Sequence, residues 1–261
     1  MKIQHPSNYK YQDDEFLCRY FSMPKFIDLF FNQNLHFTRL DHFEDNLEGI
    51  TVEGAKHRKW FLNPPLTEEN INEGIPKELI TWEANQRKEH YDSLKFSQTS
   101  QYASCWFQGD RESIAMWKLY SNSNGLMLKF RMNELIKYIT ISAESFKSDV
   151  FLEMCYDKIS YKKLNPFDYT ETFDNVFNGL KKDVAYEHEK EFRFIVVCDA
   201  KDAGKHSFFR LPIGSLKDFD FLEIYSNPFM RDWEFDNNKK LFRLFNLENK
   251  LKKSEIDVKL F

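Results

Sequence analysis

The sequence predicts an α+β fold, with a single mixed or antiparallel sheet flanked by helices, and three observations lead to it. Short apolar segments of strand length recur along the chain: FLCRYFS (16–22), QYASCWF (101–107), LMLKF (126–130), MCYDKISY (154–161), EFRFIVVC (191–198) and FLEIYSNPF (221–229). Segments with apolar residues at three- and four-residue spacing lie between them without the strict strand-helix alternation of a parallel sheet. With 261 residues and 42% hydrophobic content, the chain has enough apolar surface for a core that needs no disulfide staple. Phe (27) and Tyr (12) supply much of it, so the core is built of large rings that must interlock.

The elements follow in order. In FLCRYFS, Phe16, Cys18 and Tyr20 share one strand face and Leu17 and Arg19 the other. Ser22 is placed to cap the helix MPKFIDLFFNQ, whose Phe26, Leu29 and Phe30 form an apolar stripe. LHFT (35–38) is a second strand and RLDHFEDNLEG (39–49) a polar loop. Between about 54 and 96 the composition shifts, with NPP, an acidic TEENINEGIP and a charged helical stretch (77–96), which predicts a helical insertion or lid within one domain of 261 residues. QYASCWF returns to strand, and Asp110 is expected to cap the helix ESIAMWKLY, closed by Gly125 in a left-handed C-cap. NELIKYI, TFDNVFNGLKKD and NNKKLFRLFNL supply the later helices, and the lysine-rich NKLKKSEIDVKLF reads as a solvated face closing with a short strand.

Several function classes lose support. Lys plus Arg at 37 against Asp plus Glu at 41 gives a net charge of −4, no footprint for a nucleic-acid backbone. Cys18, Cys105, Cys155 and Cys198 are widely spaced, the reduced thiols expected of a cytoplasmic protein. The N-terminus has no apolar leader segment, and no stretch reaches the length of a membrane span. P-loop, Rossmann, zincin and nucleophile-elbow motifs are missing, and His36 and His42 make no metal-ligand spacing with a cysteine, so no metal is expected.

What remains is polar chemistry where a sheet normally wants apolar residues. In EHEKEFRFIVV (187–197) the period of two puts Glu189, Glu191 and Arg193 on one face, opposite Phe192 and Phe194. Arg19, the Phe43-Glu44-Asp45 loop, and Trp117 with Tyr120 complete the set. LCRY, LHFTRLDHFEDNLEG, SCWF, MWKLYSNSNG, EKEFR and EIYSNPF, in that order and covering most of the chain, resemble a large bacterial domain family of unknown function. Its members carry a Tyr- and Arg-bearing first strand, an F-N-D-P-F-E-like loop, C-F-S, M-W-x-x-Y and E-x-E-x-R motifs, and a late strand ending in G-P. The chain departs from that pattern at Glu44 to Leu47, where the family reads asparagine, aspartate, proline and an aromatic, and at Phe107, where it has serine.

The order of an arginine strand, a hydroxyl-bearing strand and an E-x-E strand also resembles ADP-ribosyltransferases. That resemblance implies NAD as substrate, with Arg19 and Tyr20 at the ligand, Ser104 bracing the nicotinamide pocket, Glu191 as the catalytic carboxylate with Glu189 beside it, and Trp117 or Tyr120 stacking on a ring. Arg193 and Asp45 join the candidate ligand contacts. A toxin or anti-phage effector is the implied cellular role. The alternative is a non-catalytic sensor that binds a nucleotide or a protein partner, and the simplest account of Glu191 and Arg193 is charge pairing across the sheet.

Overall fold

The structure, a computed structural model, describes residues 1–4, 14–45, 47–50, 64–72, 74–162 and 177–257. The strands are β1 (Lys2–Gln4), β2 (Phe16–Phe21), β3 (Asn34–Arg39), β4 (Gln101–Gln108), β5 (Leu126–Arg131), β6 (Phe151–Lys158), β7 (Ser160–Lys162), β8 (Lys181–Asp183), β9 (Glu191–Cys198), β10 (Phe208–Pro212), β11 (Glu223–Ser226) and β12 (Leu251–Lys252). The helices are α1 (Met23–Asn32), α2 (Lys77–Thr99), α3 (Ile114–Tyr120), α4 (Met132–Ser145) and α5 (Asp232–Leu244). The fold is α+β with a mixed sheet in the order β1-β6-β9-β4-β2-β5-β11-β12. β1 and β12 pair parallel at the two ends, the strands between them pair antiparallel, and β3 and β10 branch from β4.

Alternation in β2 drives the layering. Leu17 and Phe21 enter the main core with Phe26 and Leu29 of α1, Leu135 and Ile139 of α4, and Phe242 of α5. Cys18 and Tyr20 face the other way and pack with Met116 and Trp117 of α3. A third cluster on that second side, around Leu40, Ala103, Leu180 and Ile195, is covered by short 3-10 turns. One face is therefore roofed by three helices, while the other is covered at its two ends.

α1 links β2 to β3, and both strands run antiparallel to β4. Pro24 sits at its first turn, where a missing N–H does no harm, and Gln33 ends it at φ 54° with its N–H bonded to the Leu29 carbonyl. Ser22 occupies the cap position, but its side chain makes no cap bond. β2 meets β4 at Phe107 and Gln108, whereas β3 meets it at Tyr102 and Ala103. Ser104, Cys105 and Trp106 thus have no strand alongside on that edge, although β9 pairs them on the other. The sheet opens into a notch there.

α2 covers the predicted helical stretch; residues 54–63 of the expected insertion lie outside the described residues. Its buried residues are polar, Glu83, Ser97 and Gln98, and the last two bond the Gly49 and Glu48 carbonyls at 2.5 and 2.9 Å. For TFDNVFNGLKKD, 172–176 lie outside the described residues and the remainder is not the predicted helix: Asn178–Leu180 is a 3-10 turn leading into β8. Tertiary partners take the backbone groups a helix would use, since the Gly179 N–H donates to Gln101 and its carbonyl accepts from Arg193. The last four residues of the expected closing strand, 258–261, are also outside the described residues. Among the described residues no helix is long and apolar enough to cross a membrane.

Both ends of α3 differ from expectation. Ser113, not Asp110, caps it, accepting from the Met116 N–H, and the helix stops at Tyr120 because Ser121 is extended. Gly125 is not left-handed; a Cβ there would lie 1.7 Å from the Ser121 hydroxyl and 2.5 Å from the Phe21 carbonyl oxygen. It is glycine for space, where the chain crosses the end of β2. Gly125→Ala is expected to lower stability by roughly 1–3 kcal/mol, as overpacking does, in thermal unfolding. The Ser121→Ala/Gly125→Ala double variant should recover only a part, because the Phe21 carbonyl cannot rotate away.

Candidate functional site

The notch opens into a cavity of about 290 Å³ whose lining includes Arg19, Tyr20, Phe21, Lys25, Phe43, Cys105, Trp106, Phe107, Tyr120, Glu189 and Glu191. Arg19 belongs by alternation to the main-core face, but the missing strand contact lets its guanidinium fill the gap. It lies 5.3 Å from the Phe21 ring centre and 5.5 Å from that of Trp106, and Nη1 donates to the Ser104 hydroxyl at 2.8 Å. Trp106 Nε1 bonds the same hydroxyl at 3.2 Å. Among the described residues no carboxylate pairs with Arg19, and burial lowers its pKa to about 10, which leaves it charged at neutral pH. Among the described residues Arg19 thus leaves a positive charge in the cavity wall with no carboxylate beside it.

The other wall is a charge cluster. Arg193, with no exposed surface, is held bidentately by Glu48 at 2.6 and 2.8 Å, donates from Nε to Glu191 Oε2 at 2.6 Å, and gives a further bond to the Gly179 carbonyl. Lys182 lies 2.5 Å from Glu189, 3.2 Å from Glu48 and 3.7 Å from Glu191. Among the described residues three carboxylates face two cations, one negative charge in excess. Burial raises the Glu48 carboxyl, but Arg193 and Lys182 outweigh it and hold the group below its usual value. For Glu191 burial wins over the same two cations, helped by Glu48 and Glu189, and its pKa is raised. Glu191 Oε1 has no hydrogen bond among the described residues, since Arg193 takes Oε2. Cys105 is pushed up to about 12 by burial, so the cavity wall carries a thiol and no nucleophilic thiolate.

The predicted site residues divide accordingly. Arg19, Tyr20, Tyr120, Glu189 and Glu191 line one cavity. Glu189, however, is not on the strand: it ends the 3-10 turn Val184–Glu189, and Lys190 at φ 42° turns the chain into β9. Both its oxygens are taken, by Tyr120 at 3.2 Å and Lys182, which corrects its catalytic assignment to that of a support. Arg193 is likewise corrected: buried and fully bonded, it has no donor to spare for a ligand.

Ser104 is fully buried and positions Arg19; it does not line the cavity. Trp117 is 1% exposed, packs edge-on against Tyr20 at 4.9 Å and bonds Glu112, so it is core. Asp45 accepts from the Leu47 N–H at 2.9 Å and shapes the loop that delivers Glu48; it does not line the cavity. Glu48 and Lys182 were missed. A glutamate beside the turn glycine Gly49, at φ 71°, is a faint signal for the first, and nothing in KKD distinguishes Lys182 from Lys181.

Among the described residues no group of three His, Cys, Asp or Glu is placed to hold a metal. No family model, no curated protein and no solved structure matches the chain.

The two buried glutamates should respond oppositely to loss of charge. Glu48→Gln removes a charge the fold favours and is expected to cost roughly 3 kcal/mol, as breaking a buried pair does. Glu191→Gln removes a charge the fold disfavours and should cost under about 1 kcal/mol. Because its folded pKa is depressed, Glu48 contributes stability that is present above its unfolded value near 4.5 and lost as pH falls below it. The acid limb of the wild-type unfolding curve should therefore flatten in Glu48→Gln, measured by denaturant titration from pH 7 to 3. Equal losses in the two variants would refute the assignment.

Proposed function

We propose that the chain is a nucleotide-using enzyme that cleaves the N-glycosidic bond of NAD⁺ in the manner of ADP-ribosyltransferases. One observation carries it: a single cavity is lined by a guanidinium that has no carboxylate partner among the described residues and by a buried carboxylate whose Oε1 accepts no hydrogen bond from them. The guanidinium supplies a planar fork of donors for a phosphate. Phe43, Phe107 and Tyr120 offer ring surfaces to a base. At about 290 Å³ the cavity suits one nucleoside half, with the rest of a dinucleotide at its mouth.

In the reaction, the C1′–N bond of the nicotinamide riboside breaks and its electron pair leaves with nicotinamide. Positive charge grows on the sugar, and the Glu191 carboxylate stabilises it in a site that excludes most water. Water, or an acceptor hydroxyl or amine, attacks C1′ and passes its proton to Glu191 and then to solvent. A raised pKa brings that carboxylate closer to the range where such transfer is efficient. With water the products are ADP-ribose, nicotinamide and one proton. Such an activity depletes the host cell of NAD⁺, which fits a toxin or anti-phage effector.

The second reading, a non-catalytic nucleotide sensor, is favoured by the commitment of Glu191 Oε2 to Arg193. It keeps the role of Arg19 and removes that of Glu191. Nicotinamide release and NAD⁺ affinity, measured on the same samples, separate the two. Glu191→Gln is expected to lower kcat by roughly 100-fold or more with binding nearly unchanged. Arg19→Ala should weaken binding about tenfold or more. A wild-type protein that binds NAD⁺ and releases no nicotinamide would leave the sensor reading standing.

A further inference from the structure

We infer that Lys182 is a positioning residue for Glu191: its buried ammonium is the counter-charge on the Oε1 side of that carboxylate and holds it ionised. The inference rests on the reading of Glu191 as the catalytic carboxylate and names what sets its charge.

Lys182 reaches Glu191 because the small second sheet is docked on that residue. β7 and β8 pair parallel, with Tyr161 and Lys182 as register partners. The Glu191 N–H donates to the Tyr161 hydroxyl at 2.8 Å, and the Glu191 carbonyl accepts from the N–H of Ile159, the residue just before β7, at 2.9 Å. Both backbone groups of Glu191 are therefore bonded by the segment that carries β7, and β8 beside it brings Lys182 to the side chain. Lys182 Nζ lies 3.7 Å from Glu191 Oε1, too far for a hydrogen bond and close enough for charge to act. The ammonium is 4.5 Å from the centre of the Tyr186 ring, and the residue is buried.

Arg193 alone does not balance Glu191. Its Nη atoms hold Glu48, and the hydrogen bond it gives Glu191 ends on Oε2. Lys182 is the cation among the described residues that approaches Oε1, and its contacts with Glu189 and Glu48 fix it there. Those two carboxylates disfavour charge on Glu191, as burial does, whereas Arg193 and Lys182 favour it. The other titratable groups facing Glu191 are Cys105 of β4, Tyr161 of β7 and Tyr120 of α3, each raised by burial and uncharged at neutral pH. Burial and Arg193 lower the Lys182 pKa, but the three carboxylates outweigh them and keep it charged. Removing the cation Lys182 and removing the carboxylate Glu189 must therefore move the Glu191 titration in opposite directions. A lysine present only to hold the fold would change stability and leave that titration in place.

The test is carbon NMR of protein labelled at the glutamate carboxyl carbon and titrated with acid, the Glu191 signal being identified by its loss in Glu191→Gln. Lys182→Met, a neutral chain of similar length, should raise the Glu191 pKa by roughly one pH unit or more, the scale on which a charge a few ångströms away acts. Lys182→Arg should bring it back below the Lys182→Met value. Glu189→Gln, which keeps the shape and removes a charge, should lower it, and this variant decides the matter where Lys182→Met does not fold. A Glu191 titration that stays in place in Glu189→Gln, or that does not rise in folded Lys182→Met, would overturn the inference. Nicotinamide release is scored on the same samples: the acid limb of kcat should follow the NMR value, up in Lys182→Met and down in Glu189→Gln, with KM nearly unchanged and Lys182→Met regaining activity as pH is raised. Shifts of the expected sign in a protein that releases no nicotinamide uphold the control of Glu191 by Lys182 and reject the enzymatic reading.

Discussion

The bidentate pair between Arg193 and Glu48 is the contact on which the site is assembled. The two residues are 145 positions apart, and neither has appreciable exposure. Taking both charges out of water costs several kcal/mol per ion before pairing offsets it, so each must arrive with its partner. Glu48 is delivered by a loop whose carbonyls are held by Ser97 and Gln98 at the end of α2, while Arg193 is fixed by its strand. The same guanidinium orients Glu191 through Oε2, while Oε1 lies 3.7 Å from Lys182 Nζ. Lys182 then ties in Glu189, and through it Tyr120. Glu191 is thus positioned by a network that runs through Arg193, Glu48, Lys182, Glu189 and Tyr120.

The second constraint is topological. A strand pair that stayed zipped along β4 would leave no room for Arg19, but β2 and β3 take opposite ends of that strand and the middle three residues go without a partner. The guanidinium, two aromatic faces and the Ser104 hydroxyl fill what backbone would have filled. Because α1 must span the fork, its N-terminus is brought to the same opening. Cation, helix end and cavity share one place for one geometric reason.

Electrostatic asymmetry follows from these two constraints together. Among the described residues the charge cluster carries one carboxylate in excess of its cations, and no carboxylate pairs with Arg19 in the notch. Cys105 in the cavity wall is kept protonated by burial.

By itself the sequence determined the α+β class and left the sheet mixed or antiparallel, because alternation in FLCRYFS and EFRFIVVC and the helical stripe in MPKFIDLFFNQ are local signals that tertiary packing did not override. It also marked Arg19, Tyr20, Tyr120 and Glu191, polar groups out of keeping with their elements, which meet in one cavity. It did not mark which charges are committed. Glu189, Arg193 and Asp45 look as available as Glu191 until Lys182, Glu48 and the Leu47 N–H are seen bonded to them. Trp117 has the spacing of either a core or a ligand contact, and only Tyr20 and Glu112 beside it make it core. Gly125 advertises a left-handed cap, whereas the Phe21 carbonyl, about a hundred residues away in sequence, requires the missing Cβ. Local pattern sets which face a side chain takes, but a charge's partner and a glycine's neighbour are set by distant chain segments, and those distances exist only once the sheet has formed.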